Sequence, residues 1–118
     1  MKYKREIYEA MKELGVCPQN LGYTYACHII NEFLEGNYDM SRVTFAYRGA
    51  AKKFNTTHTR VERAIRHSVE LVFNKDNNEI LNKYFGNCIN INSGKVCNHT
   101  FLVCIVEYLK VYVLKDYS

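Results

Sequence analysis

Apolar positions along this chain recur mostly at spacings of three and four, the period of helices with one buried face. Ile7, Met11 and Leu14 form a first short stripe, ended by Gly15, a residue suited to a left-handed helix stop. Leu21, Tyr25, Ala26, Ile29, Ile30, Phe33 and Leu34 form a second stripe that closes at Gly36. The stretch "NYDMS" then offers polar capping residues before a third helix carrying Val43, Ala46 and Tyr47. Ala50, Ala51 and Phe54 predict a short helix, and Val61, Ala64, Ile65, Ser68, Val69, Val72 and Phe73 a long one ending near Asn74. After a turn at "KDNN", Asn77 or Asn78 is placed to cap a short helix containing Ile80, Leu81 and Tyr84, closed by Gly86. Residues 87–97 read as a loop with Ser93 and Gly94 at its tip. Asn98 is expected to cap a last helix built on Phe101, Leu102, Ile105, Leu109 and Val113. The pattern predicts an all-α fold of about six helices, with residues 1–118 forming a single compact domain.

Composition supports that reading and narrows the setting. With 47% hydrophobic residues, one proline and six glycines, the chain can build a core and has no linker-like tract. The longest apolar run, Phe101 to Leu114, is too short for a bilayer span and is interrupted by Glu107 and Lys110. A buried helix is expected there, with no membrane contact. No apolar run follows the charged N-terminus as a cleavable signal requires, so a cytoplasmic location is expected. Five cysteines occur without a CxxC pair, and "CNH" at Cys97 to His99 is the nearest approach to metal-ligand spacing. Reduced, mostly buried thiols are expected, with no metal and no cofactor. The sequons at Asn55 and Asn98 carry no meaning without export.

Charge changes the picture more than composition does. Between Ser41 and Lys75 there are eight basic residues against Glu62 and Glu70, a net +6, while the rest of the chain sums to −2. All the excess positive charge therefore sits in one segment, which favours a polyanionic partner there. That segment contains "AKKFNTTHTRVERAIRH". With Thr56 or Thr57 as N-cap, a helix over 58–74 places its apolar stripe on one side. At about 100° per residue, Thr59, Glu62, Arg63, Arg66, His67 and Glu70 gather on the other, with Arg60 at its edge. Upstream lies the short helix with Lys52 and Lys53 pointing outward. The join is "NTT", where Asn55 tolerates the left-handed backbone that a sharp corner needs. Short helix, tight corner and long helix with a basic face make a helix-turn-helix over about 48–74. Arginine can grip guanine with a two-pronged fork, and a carboxylate can accept from cytosine, so Glu62 among arginines suits base reading better than phosphate binding. The bland alternative is a solvated Glu62–Arg66 pair at helical spacing.

The block "AKKFNTTHTRVERAIRHSVEL" closely resembles the helix-turn-helix of the C-terminal effector domain of the stage-zero sporulation response regulator, the master regulator of sporulation initiation. The similarity continues through Phe85 and Gly86 and through "NHTFL" at Asn98 to Leu102, and extends weakly back to "ELGV" and "LGY". The resemblance implies a six-helix effector domain that binds double-stranded promoter DNA at a short box with a TGTCGAA-like core. It implies copies in tandem on adjacent boxes and contact with the sigma subunit of RNA polymerase, around "FNKDNNEILNKYFG". Base readers fall on Arg60, Glu62 and Arg63; further groove and phosphate contacts fall on Arg66, His67, Thr59 and the corner, including Lys52, Thr56 and Thr57. From its outward position Lys53 joins the phosphate set, and Arg66 the base-reading set. Three departures stand out. No receiver domain with a phosphorylated aspartate accompanies these residues, so a fragment or a stand-alone relative is expected, without the phosphorylation switch. Arg48 and Gly49 stand where the family usually has a proline. Gln19 and Leu21 replace a His and a Lys that would make an accessory phosphate contact.

The expected function is sequence-specific DNA binding with a transcriptional role. The rival is a receiverless interaction module that acts on polymerase or on a full-length regulator without touching DNA. An enzyme is not expected, because His28, His58, His67 and His99 show no nucleophile, base and orienting group in combination, and no phosphate loop occurs.

Overall fold

The computed structural model describes residues 1–75, 77–86 and 96–115. Those residues form six α-helices: α1 Lys4–Leu14, α2 Leu21–Leu34, α3 Val43–Lys53, α4 His58–Phe73, α5 Asn78–Phe85 and α6 Asn98–Tyr108. A π-helical turn, Leu109–Val113, continues α6. The all-α expectation holds. The predicted loop tip at Ser93 and Gly94 lies outside the described residues.

Glycine ends the first two helices' segments as the sequence suggests. Gly15 has φ 79° and donates to Lys12 O at 3.0 Å, while Val16 donates to Met11 O at 2.9 Å. The paired bonds satisfy carbonyls that the last turn of α1 would otherwise leave open. Gly36 has the same φ and closes the turn after α2. Other capping expectations are corrected. Arg42 precedes α3 without a side-chain cap; Asp39 instead accepts from Ser41 N–H at 2.9 Å and Ser41 Oγ at 2.8 Å in the turn before it. Asn77 precedes α5 but makes no side-chain cap bond. Cys97, not Asn98, holds the N-cap position before α6, without a side-chain cap bond.

The two helices expected over 43–54 are one. Arg48 keeps the backbone N–H that a proline would lack, so the hydrogen-bond ladder of α3 runs unbroken from Val43 to Lys53. Gly49 in mid-helix makes room for Tyr38, since a Cβ there would lie 1.9 Å from the Tyr38 hydroxyl.

Helix α2 runs through the middle and packs against α1, α3, α4 and α6. Its buried face holds Tyr25, Ala26, Ile29, Ile30 and Phe33, whereas Leu21 is exposed at its first turn and Leu34 is only partly covered. The core continues through Ile65 and Val69 of α4 to Phe85 and Phe101, fully buried rings stacked at 5.6 Å with 21° between planes. At the margin of this core, Lys83 Nζ lies 2.8 Å from Glu13 and the Tyr84 hydroxyl donates to Glu13 at 2.6 Å, tying α5 to α1. Those donors hold the Glu13 carboxyl below its ordinary range. No described helix is long and apolar enough to cross a membrane.

Candidate nucleic-acid interface

Helices α3 and α4 meet at the corner that the charge pattern singles out. Phe54 N–H donates to Ala50 O at 3.0 Å and Thr56 N–H to Ala51 O at 2.9 Å, closing α3. Between them Asn55 adopts φ 54°, the left-handed conformation expected of it. Thr57 is extended, and its hydroxyl accepts from Arg60 N–H at 3.2 Å, which caps α4. Small residues line the packed side of α3, with Ala46, Ala50 and Ala51 buried. They allow α4 to pack closely with Val61, Ile65, Ser68, Val69 and Val72 turned inward. Ala64 and Phe73, expected in that stripe, are only partly covered because they lie at its edges.

The corner is anchored from below. Phe54 packs on Tyr25 of α2, with ring centroids 5.4 Å apart, and meets the His28 ring edge-on at 5.5 Å. His28 is 8% exposed, and burial holds its imidazole below the usual histidine value. Glu32 opposes that shift from 4.0 Å along α2, and Lys53 on α3 reinforces it. A depressed folded-state pKa means that the unfolded chain takes up the proton first. Stability contributed by neutral His28 should therefore be whole above about pH 6.5 and decline as pH falls through the lower folded value. Urea denaturation at stepped pH checks this: His28→Gln should flatten the loss below about pH 6.5. An unchanged profile in that variant would assign the loss elsewhere.

Outward from this support, Lys52, Lys53, Thr57, Thr59, Arg60, Arg63, Arg66 and His67 are exposed, while Thr56 and Glu62 are partly covered. The structure brings all ten predicted site residues onto the corner and the first three turns of α4. Arg60, Arg63 and Lys52 have no side-chain hydrogen bond or ion pair among the described residues. Lys53 Nζ lies 5.9 Å above the Phe54 ring. Arg66 and Glu62 form the helical ion pair at 2.5 Å. Its exposure limits its contribution to stability to well under about 1 kcal/mol, so its interest lies in the orientation of two candidate site side chains.

One contributor escaped sequence reasoning. Asn98, expected as a cap, is buried instead, and its amide donates to Glu62 O at 2.9 Å. The start of α6 thereby braces α4 on the side where Glu62 and Arg66 stand. Neighbouring Cys97 is exposed, and a hydrogen bond with Thr100 lowers its thiol pKa. The expectation of mostly buried thiols is corrected accordingly: Cys17 and Cys97 are exposed, Cys27 and Cys104 buried, and Cys88 lies outside the described residues. Burial pushes the Cys27 thiol up to about 12. Among the described residues, no group of three or more His, Cys, Asp or Glu is placed to hold a metal ion.

This arrangement offers a polyanion a cationic surface on which Lys52, Arg60 and Arg63 have no ion-pair partner among the described residues, with one carboxylate inside it, on a helix packed from behind. The sequence matches the family described as sporulation initiation factor Spo0A C terminal over residues 7–109. The match takes in every described helix from the second turn of α1 to the end of α6. The chain belongs to that family. Membership supports a role in DNA binding and transcription regulation, and sets the chain among effector domains rather than enzymes.

Proposed function

We propose that this family member is a sequence-specific DNA-binding regulator of transcription of the sporulation-initiation type, with α4 lying in a major groove. The observation that carries the reading is the pair Arg60 and Arg63. Both are exposed and free of ion-pair partners among the described residues, one to two turns past a capped corner. In a helix-turn-helix the early residues of the second helix are those that reach base edges. Arg60, Glu62, Arg63 and Arg66 read bases; Lys52, Lys53, Thr56, Thr57, Thr59 and His67 hold phosphates and set the register. Glu62 supplies an acceptor for cytosine, and its pairing with Arg66 keeps both side chains ordered before DNA arrives. Copies bind in tandem on adjacent boxes, and the α5 region meets the polymerase sigma subunit.

A gel shift with a box-containing duplex and a scrambled duplex over a salt series tests the proposal. The box should be preferred, and log affinity should fall with log salt at about −0.9 per phosphate contact. Equal affinity for both duplexes together with salt insensitivity would move the function to protein interaction instead.

A further inference from the structure

The outer face of α3 carries a feature that the assigned contacts leave unused. Phe45, Arg48 and Lys52 follow one another at spacings of three and four, opposite the buried Ala46 and Ala50, so they form one ridge. Phe45 is 52% exposed, although a large apolar ring on a helix surface gains nothing from water. Arg42 covers part of it, its guanidinium carbon 5.7 Å from the ring centre. Neither Arg48 nor Lys52 has a side-chain partner among the described residues. Asp39, in the turn before α3, is engaged by Ser41 and also feels Arg42. The free charge of the ridge therefore centres on Arg48 and Lys52.

From these observations, and resting on the proposed DNA-binding function, we infer that the Phe45–Arg48–Lys52 ridge is a second phosphate-binding track, which grips the DNA backbone flanking the box. When the second helix of such a motif enters a major groove, the first crosses the phosphate backbone. Lys52, at the corner, already belongs to the phosphate set. Arg48 stands one turn before it, about 6 Å back along the axis, so the track leads away from the groove onto the flanking strand. An arginine fork suits phosphate oxygens there, and the Phe45 ring offers an apolar surface against sugar carbons while Arg42 closes its far side. Contacts of this kind add affinity and register but carry no base preference. Arg48 is thus a positioning residue, outside the base-reading set.

Fluorescence anisotropy of the whole chain on box and scrambled duplexes, in a salt series, tests the track. Arg48→Ala should weaken both duplexes alike, by about fivefold to tenfold at low salt, and reduce the salt slope by about 0.9. The helix should persist by circular dichroism, because Arg48 faces solvent and alanine favours helix. Arg48→Lys should recover most of the affinity. Neutral methylphosphonates in the flanking backbone should weaken the wild type and leave Arg48→Ala little affected further. If Arg48→Ala bound both duplexes within about twofold of wild type while Arg63→Ala still lost box preference, the ridge would be off the DNA and the track overturned, with the reading helix intact. If the wild type itself showed neither box preference nor salt dependence, the underlying DNA-binding function would fail and the track with it.

Discussion

Gly22→Ala should destabilise the domain by about 3 kcal/mol, the upper end of what one inserted methyl does in a packed interior. Gly22 lies where α2 crosses α4. An added Cβ would sit 2.1 Å from Ser68 Oγ and 2.3 Å from the carbonyl oxygen of Ala64. A hydroxyl can rotate away, but a helix carbonyl cannot, so the two helices must separate. Ala64 and Ser68 belong to the helix that carries Arg63 and His67, so the displacement should also reduce box preference in the folded fraction. Gly36→Ala is the control: its φ of 79° makes alanine strained, yet nothing lies within 4 Å of the added atom. It should cost about 1 kcal/mol and leave DNA binding alone. Urea denaturation of both variants checks this. A Gly22→Ala loss no larger than that of Gly36→Ala would mean the crossing has slack.

On the box duplex, Arg63→Ala should weaken binding by roughly 1–3 kcal/mol, and on random duplex by far less. Arg63 lies almost opposite the buried stripe of α4 and has no partner among the described residues, so its removal disturbs neither core nor cap. Lys52→Ala should lower both affinities about equally and flatten the salt slope by one contact. The Glu62–Arg66 pair adds a finer test. Glu62→Ala removes a negative charge near phosphate, so random-duplex affinity should hold or rise while base preference relaxes. Because the carboxylate holds the Arg66 guanidinium, Glu62→Ala and Arg66→Ala should be non-additive on the box. Like behaviour of Arg63→Ala and Lys52→Ala on both duplexes would show that α4 does not read sequence.

What the chain determined on its own is what depends on neighbours a few residues away. The left-handed stops at Gly15 and Gly36, the positive φ of Asn55 and the Thr57 cap are all set by short-range sterics and local hydrogen bonds, which residue type announces. The inward and outward faces of α4 follow from helical period alone, so the exposure of Arg60, Arg63 and His67 was legible before any coordinate. Continuity of α3 was less so, since the stripe broke at Arg48 and Gly49, and only the packing of Tyr38 over Gly49 accounts for a glycine there. Tertiary structure alone decided four further things. Asn98 reaches Glu62 across 36 residues, and Tyr84 reaches Glu13 across 71. His28 lies beneath Phe54, and the close crossing at Gly22 seats α4 against α2. No residue type or spacing encodes such pairings, because they arise only when separate helices pack and each polar group left in the interface must find a partner.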